Sequence, residues 1–134
     1  MTDPNKPEIL FLCVHNAGRS QMAAAYAREM GGDNVIIYSA GTAPGEQLNP
    51  AVVEAMNEVG IDISNELPRK LTDEMAESAD VIVTMGCGDE CPYYSGKRYD
   101  DWEIQDPAGQ CLEAVRVIRA DIEGRVRSLL GELL

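Results

Sequence analysis

The sequence predicts an α/β fold: a single domain built on a four-stranded parallel sheet with helices on both faces. Three observations predict it. Four short strand-like segments recur along the chain, at 8–13, 35–40, 80–85 and 99–103. Helical patterns separate the first three and follow the last, and this alternation is what parallel strands need for their crossovers. The segments at 8–13 and 80–85 are continuous apolar runs rather than alternating ones, as expected of strands buried on both faces. A chain of 134 residues, 45% of them hydrophobic, suits one domain around one core. No repeat, low-complexity tract or long linker divides it, so the expected domain is 1–134 with a flexible start at 1–7.

Each element has its own justification. Glu8 to Cys13 carries Ile9-Leu10-Phe11-Leu12 and reads as the first strand. Ser20 to Met30 follows as a helix, with Met22, Tyr26 and Met30 recurring every four residues and Gly31-Gly32 stopping it. Val35 to Ala40 is the second strand, closed by Gly41. Asn49-Pro50 supplies an N-cap and a proline at the first helical position. That helix runs to about Val59, with Val52, Met56 and Val59 on one stripe and Gly60 at its end. Thr72 to Ser78 is a short helix, and Asp80 to Met85 the third strand. A glycine-containing loop runs from Gly86 to about Arg98, and Tyr99 to Glu103 is the fourth strand. Val115, Ile118, Ile122, Val126, Leu129, Leu130 and Leu133 mark a long amphipathic C-terminal helix. Crossovers in such sheets are right-handed, and ligands gather beyond the carboxyl ends of the strands. The loops at 13–20, 86–98 and 104–109 all leave those ends and are expected to converge.

Composition narrows the function. The net charge is -12, from 23 acidic and 11 basic residues, which argues against nucleic acid and against large phosphorylated partners. A small oxyanion remains compatible, because backbone N–H groups and one arginine override a screened, distant field locally. No apolar run approaches the roughly 20 residues that cross a bilayer. The polar start lacks the apolar centre of a signal peptide. No membrane partner and a cytoplasmic location are therefore expected. The four cysteines, Cys13, Cys87, Cys91 and Cys111, then read as catalytic or redox groups rather than a disulfide framework. The single histidine, His15, leaves little material for a zinc site.

The most informative stretch is Cys13-Val14-His15-Asn16-Ala17-Gly18-Arg19-Ser20. It stands between a strand and a helix. A thiol attacks only as a thiolate, and a helix N-terminus together with the fixed charge of Arg19 favours that form at Cys13. The spacers Val14, His15, Asn16, Ala17 and Gly18 wrap the backbone so that successive N–H groups form a nest for anion oxygens. Gly18 is expected to take a backbone angle that other residues resist. Arg19 can bind two oxygens in a fork, Ser20 can hydrogen-bond the sulfur, and Asn16 can brace the loop. The plainer reading makes Cys13 a packed strand-end cysteine and Arg19 a solvated helix residue. The coincidence of strand, loop and helix signals at one motif favours the functional one. His15 reads as a loop residue that shapes the pocket, not as a base or ligand.

On these residues the sequence resembles the low-molecular-weight protein tyrosine phosphatases, and more closely the arsenate reductases of that fold. The resemblance runs from Ile9 to the last helix. It includes Cys13 to Ser20, Ser39-Ala40-Gly41, Asn49-Pro50, Gly60-Ile61-Asp62-Ile63-Ser64 and Asp106-Pro107. It implies the same four-stranded parallel sheet. It also implies that Asp106 supplies the proton to the oxygen expelled when Cys13 attacks; taken alone, Asp106-Pro107 reads equally as a cap before a helix. The phosphatases carry aromatic residues after this aspartate to grip a phenol ring. Ala108-Gly109-Gln110 cannot stack on a ring, so a small inorganic substrate, arsenate, is the implied one.

The resemblance further implies a use for Cys87 and Cys91. In a thioredoxin-coupled reductase, Cys13 would form an adduct with arsenate and Cys87 would release arsenite by forming a Cys13–Cys87 disulfide. Cys91 would then take over as Cys87–Cys91, which thioredoxin reduces. Some relatives space these cysteines more widely, with the first at the position of Gly86. An incidental pair and half of a metal site are the alternatives, but a zinc site wants four ligands and only His15 and Cys111 are left. Each disulfide needs Cα atoms about 4.4–6.8 Å apart, so movement of 86–96 around Gly86, Gly88 and Gly96 is expected. Some relatives hold a potassium ion beside the anion loop. Here Pro68-Arg69-Lys70 is basic, so a side-chain cation is expected in its place, with no cofactor or metal required. Cys111 is expected to be a bystander and the protein a monomer. A phosphatase acting on phosphate monoesters, and a non-catalytic oxyanion-binding or redox-sensing module, are the competing functions. A low-molecular-weight thiol is the competing reductant.

Overall fold

The computed structural model describes residues 6–86 and 92–134. Residues 1–5, with most of the start expected to be flexible, lie outside the described residues, as do Cys87 and Cys91.

The expected strands form one parallel sheet. β1 (Glu8–Cys13) lies between β2 (Ile36–Gly41) and β3 (Val81–Thr84), and β4 (Arg98–Asp101) pairs with β3. Every pairing is parallel, with Leu10 opposite Tyr38 and Ile82, and Val83 opposite Asp100. The central strand is buried almost completely because its alternate side chains serve two cores. Ile9, Phe11 and Cys13 face the larger one, and Leu10 and Leu12 the smaller. Phe11 is fully buried and its ring sits 5.9 Å from that of Trp102. Truncating such a residue to alanine costs about 3–5 kcal/mol, a large share of a domain's stability of about 5–15 kcal/mol.

Three helices cover the larger core: α1 (Arg19–Gly31), α2 (Pro50–Glu58) and α4 (Leu112–Leu133). The other face carries the short α3 (Asp73–Ser78), whose Ala76 packs with Leu10, Leu12 and Ile82. The helices thus flank both faces, but unevenly. α1 is not the one-sided helix its Met22–Tyr26–Met30 stripe predicts, since every residue from Ser20 to Ala27 is buried. It is wedged between the sheet and α4, and Ala23, Ala24, Ala25 and Ala27 are small enough for both to approach. α4 buries Val115, Ile118, Ile122, Val126, Leu129 and Leu130, as its periodicity predicts. Among the described residues no helix is long and apolar enough to cross a membrane.

The boundaries shift for local reasons. The Asn49 side chain accepts from the Ala51 N–H and Thr72 from that of Met75, so both cap their helices from outside. The fourth strand begins at Arg98 and ends at Asp101, not at Glu103. The Trp102 N–H still donates to the Thr84 carbonyl (2.9 Å), after which the chain turns inward to bury Trp102 and Ile104. That turn carries the segment 102–107 across the carboxyl ends of the strands.

Glu58, at the end of α2, ties that helix to α4. Its carboxylate accepts from Arg116 Nε (2.9 Å) and Nη2 (2.6 Å) and from Arg119 Nη1 (2.9 Å). The hydrogen bonds from Arg116, joined by those from Arg119, pull the carboxyl down from 4.5 to about 2. A depressed carboxyl stabilises the folded state above its unfolded value and loses that contribution as pH falls through the folded one. Glu58→Gln is therefore expected to lower the unfolding temperature at neutral pH. The gap from the parent should close as pH falls from 4.5 towards 2, and thermal unfolding measured across that range checks it.

Candidate active site

The loop between β1 and α1 has its polarity set from outside. Every carbonyl from Cys13 to Gly18 is engaged. Cys13, Val14, His15 and Ala17 accept from the N–H groups of Thr42, Ala43, Gly45 and Asn49 at 2.9–3.1 Å. Asn16 accepts from Gln21 Nε2 (3.2 Å) and Gly18 from the Met22 N–H (2.9 Å). The N–H groups of Val14, His15, Ala17 and Gly18 donate to no described residue. The first N–H groups of α1, which lack partners within any helix, lie directly behind them. A run of backbone donors is thereby left, an arrangement that suits an anion.

The Cys13 sulfur sits at the floor of this loop and is buried. It accepts from the Asn16 N–H (3.2 Å) and lies 2.9 Å from Ser20 Oγ. Ser20 Oγ itself accepts from Asn16 Nδ2 (2.6 Å). The one Ser20 proton is thus free to point at the sulfur, which then accepts two hydrogen bonds. The left-handed residue of the loop is Asn16 (φ 51°), while Gly18 (φ -144°, ψ -85°) lies outside the helical and extended regions. Glycine at 18 also leaves room, since a Cβ there would lie 2.7 Å from Pro107 Cγ.

Arg19 is held from two further loops. Its Nη1 donates to the Ile104 carbonyl (3.2 Å), and its Nη2 stands 3.7 Å from Asp106 Oδ2. The guanidinium lies against the backbone of Gly86 (φ 84°), where a Cβ would come within 2.1 Å of Nη1. Asp106 is half-exposed, and its Oδ1 accepts from the Ala108 N–H (3.0 Å). Asp106 Oδ2 is therefore the oxygen beside the guanidinium. Cys13, His15, Ala17, Gly18, Arg19, Asn49 and the segment Asp106–Ala108 enclose a cavity of about 60 Å³. Pockets for drug-sized organic ligands run to roughly 300–1,000 Å³, so this one suits a group of a few heavy atoms. His15 is exposed at its rim, the place expected of a residue that shapes the pocket.

The structure brings Cys13, the loop 14–20, Gly86 and Asp106 together. Cys111 stands apart as the exposed N-cap residue of α4. Of the stretch expected to move, 87–91 lies outside the described residues. Further on, Tyr94 donates through its N–H to Tyr99 Oη (2.6 Å) and through its hydroxyl to Asp73 (3.1 Å). The side-chain cation expected in place of a potassium ion is not what the loop uses. The Arg69 guanidinium is exposed and pairs with Glu66, while its backbone N–H donates to Asn16 Oδ1 (2.9 Å) beside Gln21 Nε2 (3.0 Å). Among the described residues no three His, Cys, Asp or Glu side chains cluster as a metal site.

Three contributors escaped the sequence reading. Asn49 reads as a cap, but it also donates from its backbone to Ala17 and from Nδ2 to the Pro107 carbonyl (3.3 Å), linking the anion loop to the aspartate loop. Gln21 carried a faint signal, a polar residue in a helix otherwise rich in alanine and methionine. Gly86 reads as a hinge, whereas it is the surface on which Arg19 rests. Gly86→Ala would force the guanidinium aside, since overpacking of this kind costs about 1–3 kcal/mol, or roughly a 5- to 150-fold change in an equilibrium. Titration calorimetry with inorganic phosphate is expected to show weakened binding of that order, with the fold retained by circular dichroism.

Comparison with known proteins agrees with this geometry. The family described as low molecular weight phosphotyrosine protein phosphatase matches residues 8–134. An arsenate reductase of Halalkalibacterium halodurans is 42% identical over 108 residues, covering 78% of this chain and 76% of the relative. A glutaredoxin arsenate reductase of Synechocystis is 32% identical over 129 residues, covering 94% and 98%. The structure of a thioredoxin-dependent arsenate reductase of Corynebacterium glutamicum superposes with a TM-score of 0.85 at 40% identity, over 98% of this chain. The present chain spans only 64% of that protein. By matched length, by fold and by the residues around Cys13, the chain belongs to the low molecular weight phosphotyrosine protein phosphatase family.

Proposed function

We propose that this chain reduces arsenate to arsenite, using Cys13 as the nucleophile and thiols as the source of electrons. The observation that carries the reading is the contact between Arg19 and Gly86. The segment bearing Cys87 and Cys91 starts on the very residue that touches the oxyanion-binding guanidinium. A hydrolytic phosphatase has no need of two thiols there. The small cavity and the absence of an aromatic wall at Ala108-Gly109-Gln110 favour an inorganic oxyanion over a phosphotyrosine. Relatives named as arsenate reductases support the same substrate.

In this reading the nest at 14–20 and Arg19 bind three oxygens of arsenate and direct arsenic at the Cys13 sulfur. The thiolate forms an S–As bond, and the departing oxygen takes a proton from Asp106 and leaves as water. The Cys87 thiolate then attacks the Cys13 sulfur. The S–As bond breaks with its electron pair going to arsenic, so As(V) becomes As(III) and arsenite departs. The Cys13–Cys87 disulfide now holds the oxidising equivalents. Cys91 attacks Cys87, Cys13 leaves as a thiolate, and Cys87–Cys91 remains for an external dithiol to reduce. Cys87 comes first because it follows Gly86 directly in the chain. Thioredoxin is the proposed reductant, supported by the named function of the Corynebacterium glutamicum protein. The chain is proposed to act as a monomeric cytoplasmic domain over 1–134, where a reducing medium keeps its thiols free.

Purified protein, arsenate, thioredoxin and thioredoxin reductase, followed by NADPH consumption, test the relay. Replacing Cys13, Cys87 or Cys91 by serine is expected to reduce turnover to background, and Cys111→Ser to leave it unchanged. Parent rates in Cys91→Ser would remove that residue from the relay. Asp106→Asn is expected to slow the first step by about 10²–10⁴-fold, the usual yield of a general acid. Cys87→Ser is expected to spare any hydrolysis of p-nitrophenyl phosphate while abolishing arsenate turnover, and equal loss of both would refute the assignment of Cys87.

A further inference from the structure

We infer that Gln21 is a positioning residue that sets the direction of the hydrogen bonds reaching the Cys13 sulfur; the inference rests on reading Cys13 as the nucleophile. Gln21 is 1% exposed. Its Nε2 faces three oxygens: the Asn16 carbonyl at 3.2 Å, Asn16 Oδ1 at 3.0 Å and the Leu67 carbonyl at 3.3 Å. A flipped amide would set its oxygen against all three, so the orientation is determined by the surroundings. The opposite atom, Oε1, is buried without a partner among the described residues. A buried amide that leaves its acceptor unused while its donor end is fully committed is unusual. Two of the three oxygens it faces belong to Asn16.

The effect passes through Asn16. Two donors, Gln21 Nε2 and the Arg69 N–H, converge on Asn16 Oδ1. The Asn16 amide is thereby fixed with Nδ2 turned to Ser20 Oγ. Since Ser20 accepts there, its hydroxyl proton is left for the sulfur 2.9 Å away, the arrangement that suits a thiolate. Without Gln21 the Arg69 N–H alone holds that orientation, and a turned Asn16 amide, with Oδ1 presented to Ser20, becomes easier to reach. The serine proton would then go to Asn16, and Ser20 would offer only a lone pair to Cys13, the arrangement that suits a thiol. Gln21 also holds the Asn16 carbonyl, and with it the left-handed backbone (φ 51°) that aims the Asn16 N–H at the sulfur.

The test is the pH dependence of Cys13 alkylation by iodoacetamide, followed by mass spectrometry of the Cys13 peptide in the full chain. It involves no arsenate, so its failure is separable from failure of the reductase reading. Gln21→Met, close in shape but without a donor, is expected to move the profile up by about one pH unit and slow alkylation at neutral pH roughly tenfold, the scale of one lost hydrogen bond to a charged group. In turnover, kcat should fall while KM for the oxyanion changes little. In a Ser20→Ala background the same change should have a clearly smaller effect, because the path through the serine hydroxyl is gone and only that through the Asn16 N–H remains. A Gln21→Met profile that coincides with the parent overturns the inference, as does an equal effect with and without Ser20. Should Gln21→Met not fold, the parent chain still decides. The side-chain amide proton signals of Gln21 and Asn16 are expected to shift as Cys13 titrates, and signals that stay still through that titration overturn the inference equally.

Discussion

The site depends on one constraint: the carbonyls of the loop 13–18 all point into the protein and are all satisfied there. Thr42, Ala43, Gly45 and Asn49 take four of them from one side, and Gln21 and Met22 take the other two from α1. A peptide unit cannot turn its oxygen one way without turning its N–H the other. Engaging every oxygen inside the protein therefore leaves four N–H groups turned the other way. This costs the folded state unpaired donors while no ligand is bound, and it preorganises the site, so that binding an oxyanion needs no rearrangement of backbone dipoles.

The sheet explains why those partners are available. β1 lies between β2 and β3, so the chain leaving β2 runs beside the chain leaving β1, and residues 42–45 meet the loop carbonyls. On the other side, β3 ends one residue before Met85, whose N–H still bonds to Leu12, and Gly86 then arrives at Arg19. β4 delivers the turn at Trp102 that lays Ile104 and Asp106 beside the same guanidinium. Three strand ends thus contribute Cys13, the Gly86 backbone beneath the arginine, and Asp106. The charge of the protein as a whole, -12, opposes an anion, yet the local field is set by backbone dipoles, Arg19 and the Asp106 carboxylate beside it. Charges beyond a screening length of about 8–10 Å add little to it.

Much of this was legible in the chain because it is local. Ile9-Leu10-Phe11-Leu12 can only be a buried strand at that length, and Asn49-Pro50 is a helix start by its own chemistry. The cysteine–arginine spacing reports an anion loop because a tight turn between strand and helix has few other uses for a thiol and a guanidinium. The reading failed where a residue's role depends on what folds back against it. Gly18 has the unusual backbone expected of it, but it also makes room for Pro107, and the left-handed residue is Asn16. Arg69 was expected to lend a side-chain charge and lends a backbone N–H instead. The helix expected from Ser20 to Met30 shows one stripe, although its alanines are buried on every side.

The sequence by itself determined the order of strands and helices and the thiol at a helix entrance, since these follow from periodicity, capping and the chemistry of neighbouring residues. Tertiary structure alone decided which way each hydrogen bond at the sulfur runs, which backbone supports the arginine, and that a capping asparagine also braces the acid. Those facts involve partners more than 40 residues apart, Asn16 with Arg69, Asn49 with Pro107, and Arg19 with Gly86 and Ile104. No local pattern encodes such pairs, because they exist only once the sheet has brought its strand ends into register.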